Sequence, residues 1–275
     1  MKKLTLSLAL AALTTSAVAA TGTYQSPALR GEITQAIKPQ DTINLLEKSV
    51  KGLPVPSISV SEVKTIPTVA IPANTSGSTI LDVTLVDELL DDVAPNARHY
   101  PTNFPTRTSE YLVKQNIKHL SDWIEPYASA PDASAETLLR AAKINGMARN
   151  LNLGNDYTVR AGNHMQKLLQ VDPNHTEGNF LFGMMLSESG AFKEGRKYLD
   201  KAVAAGYTEA EQSIAQAELL GDNRSGALKR LQKLAAAHPD NAQIAEQVRI
   251  VENGGYYIWN IPDANLNIKA PQTAK

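Results

Sequence analysis

Cysteine is absent from the whole chain. That excludes a disulfide framework and a lipid anchor attached through an N-terminal cysteine. A surplus of basic residues is missing too: 27 Lys and Arg stand against 28 Asp and Glu, and no stretch gathers them into a basic stripe. Nucleic acid is therefore not an expected partner. Past residue 19 no apolar run is long enough to span a bilayer, so no stable membrane anchor is expected. The five histidines, His99, His119, His164, His175 and His238, form no His-x-x-x-His or His-Glu-x-x-His pair, and no metal or cofactor is expected.

The first residues carry an address. Lys2 and Lys3 precede an apolar stretch from Leu4 to Val18, which ends in Ala17-Val18-Ala19, the small-x-small pattern of signal peptidase sites. Residues 1–19 read as a cleaved bacterial signal peptide, so the expected compartment is the periplasm, with secretion as the other outcome. Without Lys2 and Lys3 the net charge becomes −3, from 25 basic and 28 acidic residues.

Residues 20–107 are punctuated by proline and read as partly extended or disordered, with short helices. Ile43, Leu46, Val50 and Leu53 recur at helical spacing, whereas Pro54, Pro56, Pro67 and Pro72 break a run rich in Val, Ile, Ser and Thr. Leu81, Leu85, Leu89 and Val93, each four apart, predict a helix over 80–93 that stops at Pro95. Pro95, Pro101 and Pro105 then mark a linker. Helix dominates from residue 108. Val113, Ile117, Leu120 and Ile124 form an amphipathic stripe ending at Pro126, and Pro131-Asp132-Ala133-Ser134 starts the next helix, with its end at Gly154-Asn155. Further helices are expected over 156–171, 176–189, 192–205, 208–220, 225–237 and 240–253.

One spacing recurs in this stretch: a small residue, an apolar residue four later, an apolar or small residue seven later, and a helix stop near twelve. The copies are Ala161, Met165, Leu168 and Pro173; Gly195, Leu199, Ala202 and Tyr207; and Ala227, Leu231, Leu234 and Pro239, with steps of 34 and 32 residues between their first members. Twelve residues upstream of the small positions lie Arg149, Gly183 and Ala215, where two helices of a pair cross closely if both give up side-chain volume. The pattern resembles the tetratricopeptide repeat family, best in 183–202 and 215–239 and less well in 142–173, where Arg149 departs from the small residue. The resemblance implies an all-α fold of stacked helical hairpins, a solenoid over 108–255 with repeats near 142–175, 176–207 and 208–241 flanked by capping helices. A compact helical bundle is the alternative arrangement of the same helices.

The resemblance also implies that the first helix of each pair lines a groove for a protein or extended peptide. Lys143, Asn150, Phe180, Met184, Gln212 and Gln216 are the candidate groove residues. Some family members grip a terminal carboxylate with converging Lys, Arg and Asn side chains; here only Lys143 and Asn150 suit that task, and Phe180 and Met184 point to apolar anchors instead. The aromatic segment Tyr256-Tyr257-Ile258-Trp259 within 256–275 either folds back over the last helix or serves as a partner-binding strand. Self-binding by the N-terminal segment, with 66–71 as the strip, is a further expectation.

Catalytic signals are few, and no catalytic residue is assigned. Ser61-Glu62-Val63-Lys64 fits Ser-x-x-Lys, but it lies between prolines in extended chain and lacks Lys-Thr-Gly or Ser-Asp-Asn companions. His175 and Glu177 flank a turn, where a capping role is expected, and the acidic run Asp82, Asp87, Glu88, Asp91 and Asp92 reads as a solvated helix face. The function expected is that of a non-enzymatic periplasmic adaptor binding a protein or peptide partner in envelope assembly or maintenance. The alternative is an exported enzyme or wall-binding factor whose active part is 20–107, with the repeats as docking arm.

Overall fold

The computed structural model describes residues 68–261, and these are helical apart from one small ribbon. The leader, the expected helix around Ile43 to Leu53 and the Ser61 to Lys64 motif lie outside the described residues. Strand β1 (Ala70–Pro72) pairs antiparallel with β2 (Ile80–Asp82), Ile71 opposite Leu81. Both of these side chains are buried, and the ribbon is fastened to the helices through Ser134, whose hydroxyl donates to the Pro72 carbonyl at 2.5 Å.

Helix α1 (Thr84–Ala97) differs from the sequence expectation in start, end and face. Residues 80–82 belong to β2, and the buried stripe is Val86, Leu90, Val93 and Ala97, at 0, 4, 7 and 11, rather than Leu81, Leu85, Leu89 and Val93. Pro95 does not stop the helix. A proline removes one amide donor and frees the carbonyl four residues earlier, and both Pro95 and Asp91 sit on the exposed side, where water takes that role. The same holds in α2 (Arg107–Ala128), which runs past exposed Pro126 with exposed Asp122 four residues before it. Thr106 starts α2 through a reciprocal capping box with Ser109.

Three helical hairpins follow: α3 (Ala135–Asn150) with α4 (Asn155–Val171), α5 (Thr176–Glu188) with α6 (Phe192–Ala204), and α7 (Thr208–Leu220) with α8 (Arg224–Ala237). Each packs on its neighbour, and α9 (Ala242–Glu252) closes the stack on α8. This is the stacked-hairpin, all-α architecture expected, with boundaries close to those read from the sequence. The turns explain the regular layout. Gly190 and Gly206 take φ of +88° and +84°, and the next amides, of Ala191 and Tyr207, reach back to the carbonyls of Leu186 and Ala202, a helix stop that needs a left-handed residue.

The small-residue crossing is physical in the second hairpin. A β-carbon added to Gly183 would lie 2.8 Å from the Gly195 carbonyl oxygen and 2.8 Å from the Leu199 amide nitrogen, so the two backbones touch there. The first hairpin is built differently. Its turn, 151–154, is one residue longer than those at 189–191 and 221–223. Arg149 does not enter a crossing: it is half-buried and reaches across to α5, donating to Glu188 at 3.3 Å and to the Ser189 hydroxyl at 2.9 Å.

The core crosses residue 107, where the sequence reading placed a boundary. Ile71, Leu81, Val86, Leu90 and Val93 share one apolar cluster with Ile117, Ile124, Ile144 and Ala148. Residues 70–107 thus complete the helical domain rather than precede it. A second cluster, around Phe180, Leu199 and Ile214, joins the first two hairpins to α7, and a third joins Leu219, Leu231 and Val251 to Ile258.

Candidate functional site

Helices α3, α5 and α7, the first members of the hairpins, lie side by side and present one shared face. Much of it is covered by the chain itself. One cover is α1 with the segment after it, 98–104; the other is a strap, residues 256–261, that returns from the end of α9.

His99 is the centre of the first cover. It is 8% exposed, its Nδ1 lies 3.2 Å from Glu188 Oε1, and its Nε2 lies 2.8 Å from Glu209 Oε1. Two carboxylates can both be served only when both ring nitrogens carry protons, so the group is an imidazolium. Burial alone would lower its pKa, but the hydrogen bonds and charges of Glu188 and Glu209 outweigh this and hold it above the ordinary histidine value. Glu209 answers in kind: burial would raise its pKa, and the bonds from His99 and Arg98 instead hold it below the usual carboxylate range. Arg98 reaches Glu209 at 2.7 Å, and the Tyr100 amide donates to Glu188 at 3.3 Å. Burial, then the Glu209 carboxylate, push the nearby Tyr207 phenol up to about 12, against the pull of Arg98.

The strap meets the first cover at this histidine. The Trp259 and His99 rings stack with centroids 3.6 Å apart and planes within 4°, an arrangement in which the aromatic face also stabilises the cation. Gln216 holds the strap by its main chain: its amide nitrogen donates to the Tyr256 carbonyl at 2.7 Å, and its oxygen accepts from the Ile258 amide at 2.9 Å. Ile258 is fully buried, while Tyr256 and Tyr257 are exposed. Asn150 treats the other cover in the same way, donating to the carbonyls of Ala97 at 3.0 Å and Arg98 at 2.7 Å.

The six candidate groove residues therefore divide. Asn150 and Gln216 bind main chain. Phe180 is fully buried, packed against Tyr207 at 4.6 Å between centroids, and belongs to the core. Gln212 is buried and donates to Gln247 at 2.9 Å, joining α7 to α9. Lys143 and Met184 line a narrow cleft of about 20 Å³, room for about one water molecule, together with buried Leu90, Met147, Met165 and Met185. Lys143 is tied to Glu177 at 2.7 Å. The cleft wall holds every methionine of the chain but Met1, and all four are buried.

Sequence reasoning singled out the segment of Trp259 but gave no role to His99, Glu188 or Glu209. His99 lies 89 and 110 positions from its carboxylates, so no local spacing announces it. Other singled-out residues have plain roles. His175 caps α5 by accepting from the Gly178 amide at 3.0 Å, Asp82 receives the amide and hydroxyl of Thr84, and Asp87 makes a two-pronged pair with Arg140 at 2.7 and 2.6 Å. Among the described residues no three His, Asp or Glu side chains gather as a metal site, and no helix is long and apolar enough to cross a membrane. Chemically the cluster is a clamp. Both nitrogens of His99 are committed to carboxylates, which leaves no lone pair for proton abstraction. Comparison with protein-family models, curated proteins and solved structures finds no match to this chain.

Proposed function

We propose that this chain is an exported, non-enzymatic adaptor of the tetratricopeptide type that holds an extended segment of a partner protein in the cell envelope. The observation that carries this reading is the use made of Asn150 and Gln216. Both project from first helices, and both spend their amides on main-chain atoms of segments laid across them. Side chains that read main chain accept any extended polypeptide, and neighbouring apolar contacts then supply selectivity. The narrow methionine-walled cleft beside Lys143 is where an apolar side chain would find such a contact once the methionines shift. The clamp chemistry of His99 favours holding over turnover. The rival reading, an active part in 20–107 carried by a docking arm, is weakened because 70–107 share the helical core.

A photo-crosslinking residue in place of Lys143, on the rim of the cleft, tests the proposal in cells of a native host. Capture of a defined protein partner in the envelope fraction, lost when Met184→Glu is added, is the expected result. Absence of any crosslinked protein, with the variant exported and folded, overturns it.

A further inference from the structure

The strap is an imperfect fit to the face it covers. It is anchored by fully buried Ile258 and buried Ile261, by two hydrogen bonds between Gln216 and its main chain, by the Asn103 amide donating to the Ile261 carbonyl at 3.4 Å, and by the Arg224 guanidinium 4.6 Å from the Tyr256 ring centre. Beside them, the Trp259 indole N–H and the Ser213 hydroxyl are both buried without a hydrogen-bond partner, and both residues border one gap too narrow for a water molecule. A buried polar group without a partner has lost its hydration for nothing, so this seam weakens the hold of the strap. The Trp259 ring compensates by stacking on His99, which is itself fixed by Glu188 and Glu209.

We propose that residues 256–261 stand in for a partner strand, and that the surface running from α5 across α7 to α8 and α9 is the receptor for an extended segment bearing a branched apolar residue followed by an aromatic one. Resting on the adaptor reading, this assigns the partner's chemistry. Its main chain takes the two Gln216 bonds, its apolar residue fills the Ile258 position, and its ring lies on the His99 imidazolium. A phenyl ring does this without the orphaned N–H of the indole, so a phenylalanine suits the face at least as well as the tryptophan of the strap. The strap and the partner compete for one place, and strap release is the step that opens the face.

Fluorescence anisotropy with a labelled, capped peptide of the sequence of residues 254–263 tests this on the purified mature chain. The wild-type chain should bind the peptide about tenfold more weakly than an Ile258→Ala chain, in which the tethered competitor has lost its anchor. Adding Gln216→Ala to that chain should remove both main-chain bonds and weaken binding about tenfold or more. A peptide carrying Trp259→Phe should bind at least as tightly as the parent, and one carrying Trp259→Ser should bind far more weakly. Equal binding to wild-type and Ile258→Ala chains, or no binding to a folded Ile258→Ala chain, overturns the proposal. If Ile258→Ala fails to fold, hydrogen exchange on the wild-type chain decides: exchange of the Ile258 amide through local opening supports it, and exchange only through global unfolding overturns it. A crosslinked partner at Lys143 with no peptide binding would remove the strap assignment while leaving the adaptor reading in place.

Discussion

The two covers over the first-helix face are unlike in construction. The cover from the N-terminal side is core: α1 brings Val86, Leu90, Val93 and Ala97 into the same apolar cluster as Ile117 and Ile144. The strap from the C-terminal side is a clasp: it adds the single residue Ile258 to the cluster of Leu219, Leu231 and Val251, and is held besides by main-chain hydrogen bonds with Gln216 and Asn103 and one ring stack, with unpaired polar atoms alongside. Both hide polar and apolar groups of the same helices. What separates them is whether the cover can leave without the domain unfolding, and apolar area decides this, since a helix face contributes several buried side chains and the strap few.

The largest effect should come from the core-type cover. Leu90→Ala removes a buried side chain from α1 and should cost about 2–5 kcal/mol of global stability, read as a fall in the denaturant midpoint without change of slope. A loss much smaller than this would mean that α1 detaches as readily as the strap. Next comes the backbone contact beneath the face. Gly183→Ala sets a β-carbon 2.8 Å from the backbone of α6, and forcing the helices apart should cost about 1–3 kcal/mol in the same unfolding measurement.

Ile258→Ala should cost less than Leu90→Ala although it empties a fully buried site. Once the strap is off, further weakening of its anchor no longer matters, so the global loss is capped at the docking energy of the strap. Hydrogen exchange in 256–261 should quicken while α5 and α7 stay protected. Equal losses for the two variants would erase the distinction between core and clasp.

The smallest and most specific effect is on pH dependence. His99 has a raised pKa in the fold, so its contribution is complete below the unfolded value of 6.5 and is lost as pH rises through the raised value. Glu209 has a lowered pKa, so its contribution is present above 4.5 and is lost as pH falls through the lowered value. Melting temperature should therefore be highest between these limits and decline on the alkaline side. His99→Gln should flatten that alkaline decline; an unchanged profile would show that the imidazolium clamp contributes nothing.

The hairpins were legible because their signals are local. Apolar spacing, Gly190 and Gly206 at the turns, and Ser134 at a helix start fix boundaries from a few neighbouring residues, and the close crossing of Gly183 and Gly195 follows from volume alone. Helix α1 was legible as a helix but not in its face, because its position is set by the core it joins. Its leucines allow two stripes, and contact with α3 selects Val86, Leu90, Val93 and Ala97. The site was half legible. Asn150 and Gln216 lie where first-helix spacing puts them, whereas Phe180, chosen as an apolar anchor, is inside the core. The His99 clamp and the Trp259 stack arise only when chain ends far apart in sequence meet, and no periodicity carries that information.

Gln216 grips the strap through the carbonyl of Tyr256 and the amide of Ile258, atoms that every residue other than proline supplies. The exposed ring of Tyr257 can therefore change identity while the grip stays the same. A competitor's apparent Kd equals its intrinsic value divided by the fraction of time the strap is away. Each increment of about 1.4 kcal/mol in strap docking then raises the concentration a visitor must reach by about tenfold. A few side chains at one end of the chain thus set an occupancy threshold for the whole face, adjustable by single substitutions that leave the receptor untouched.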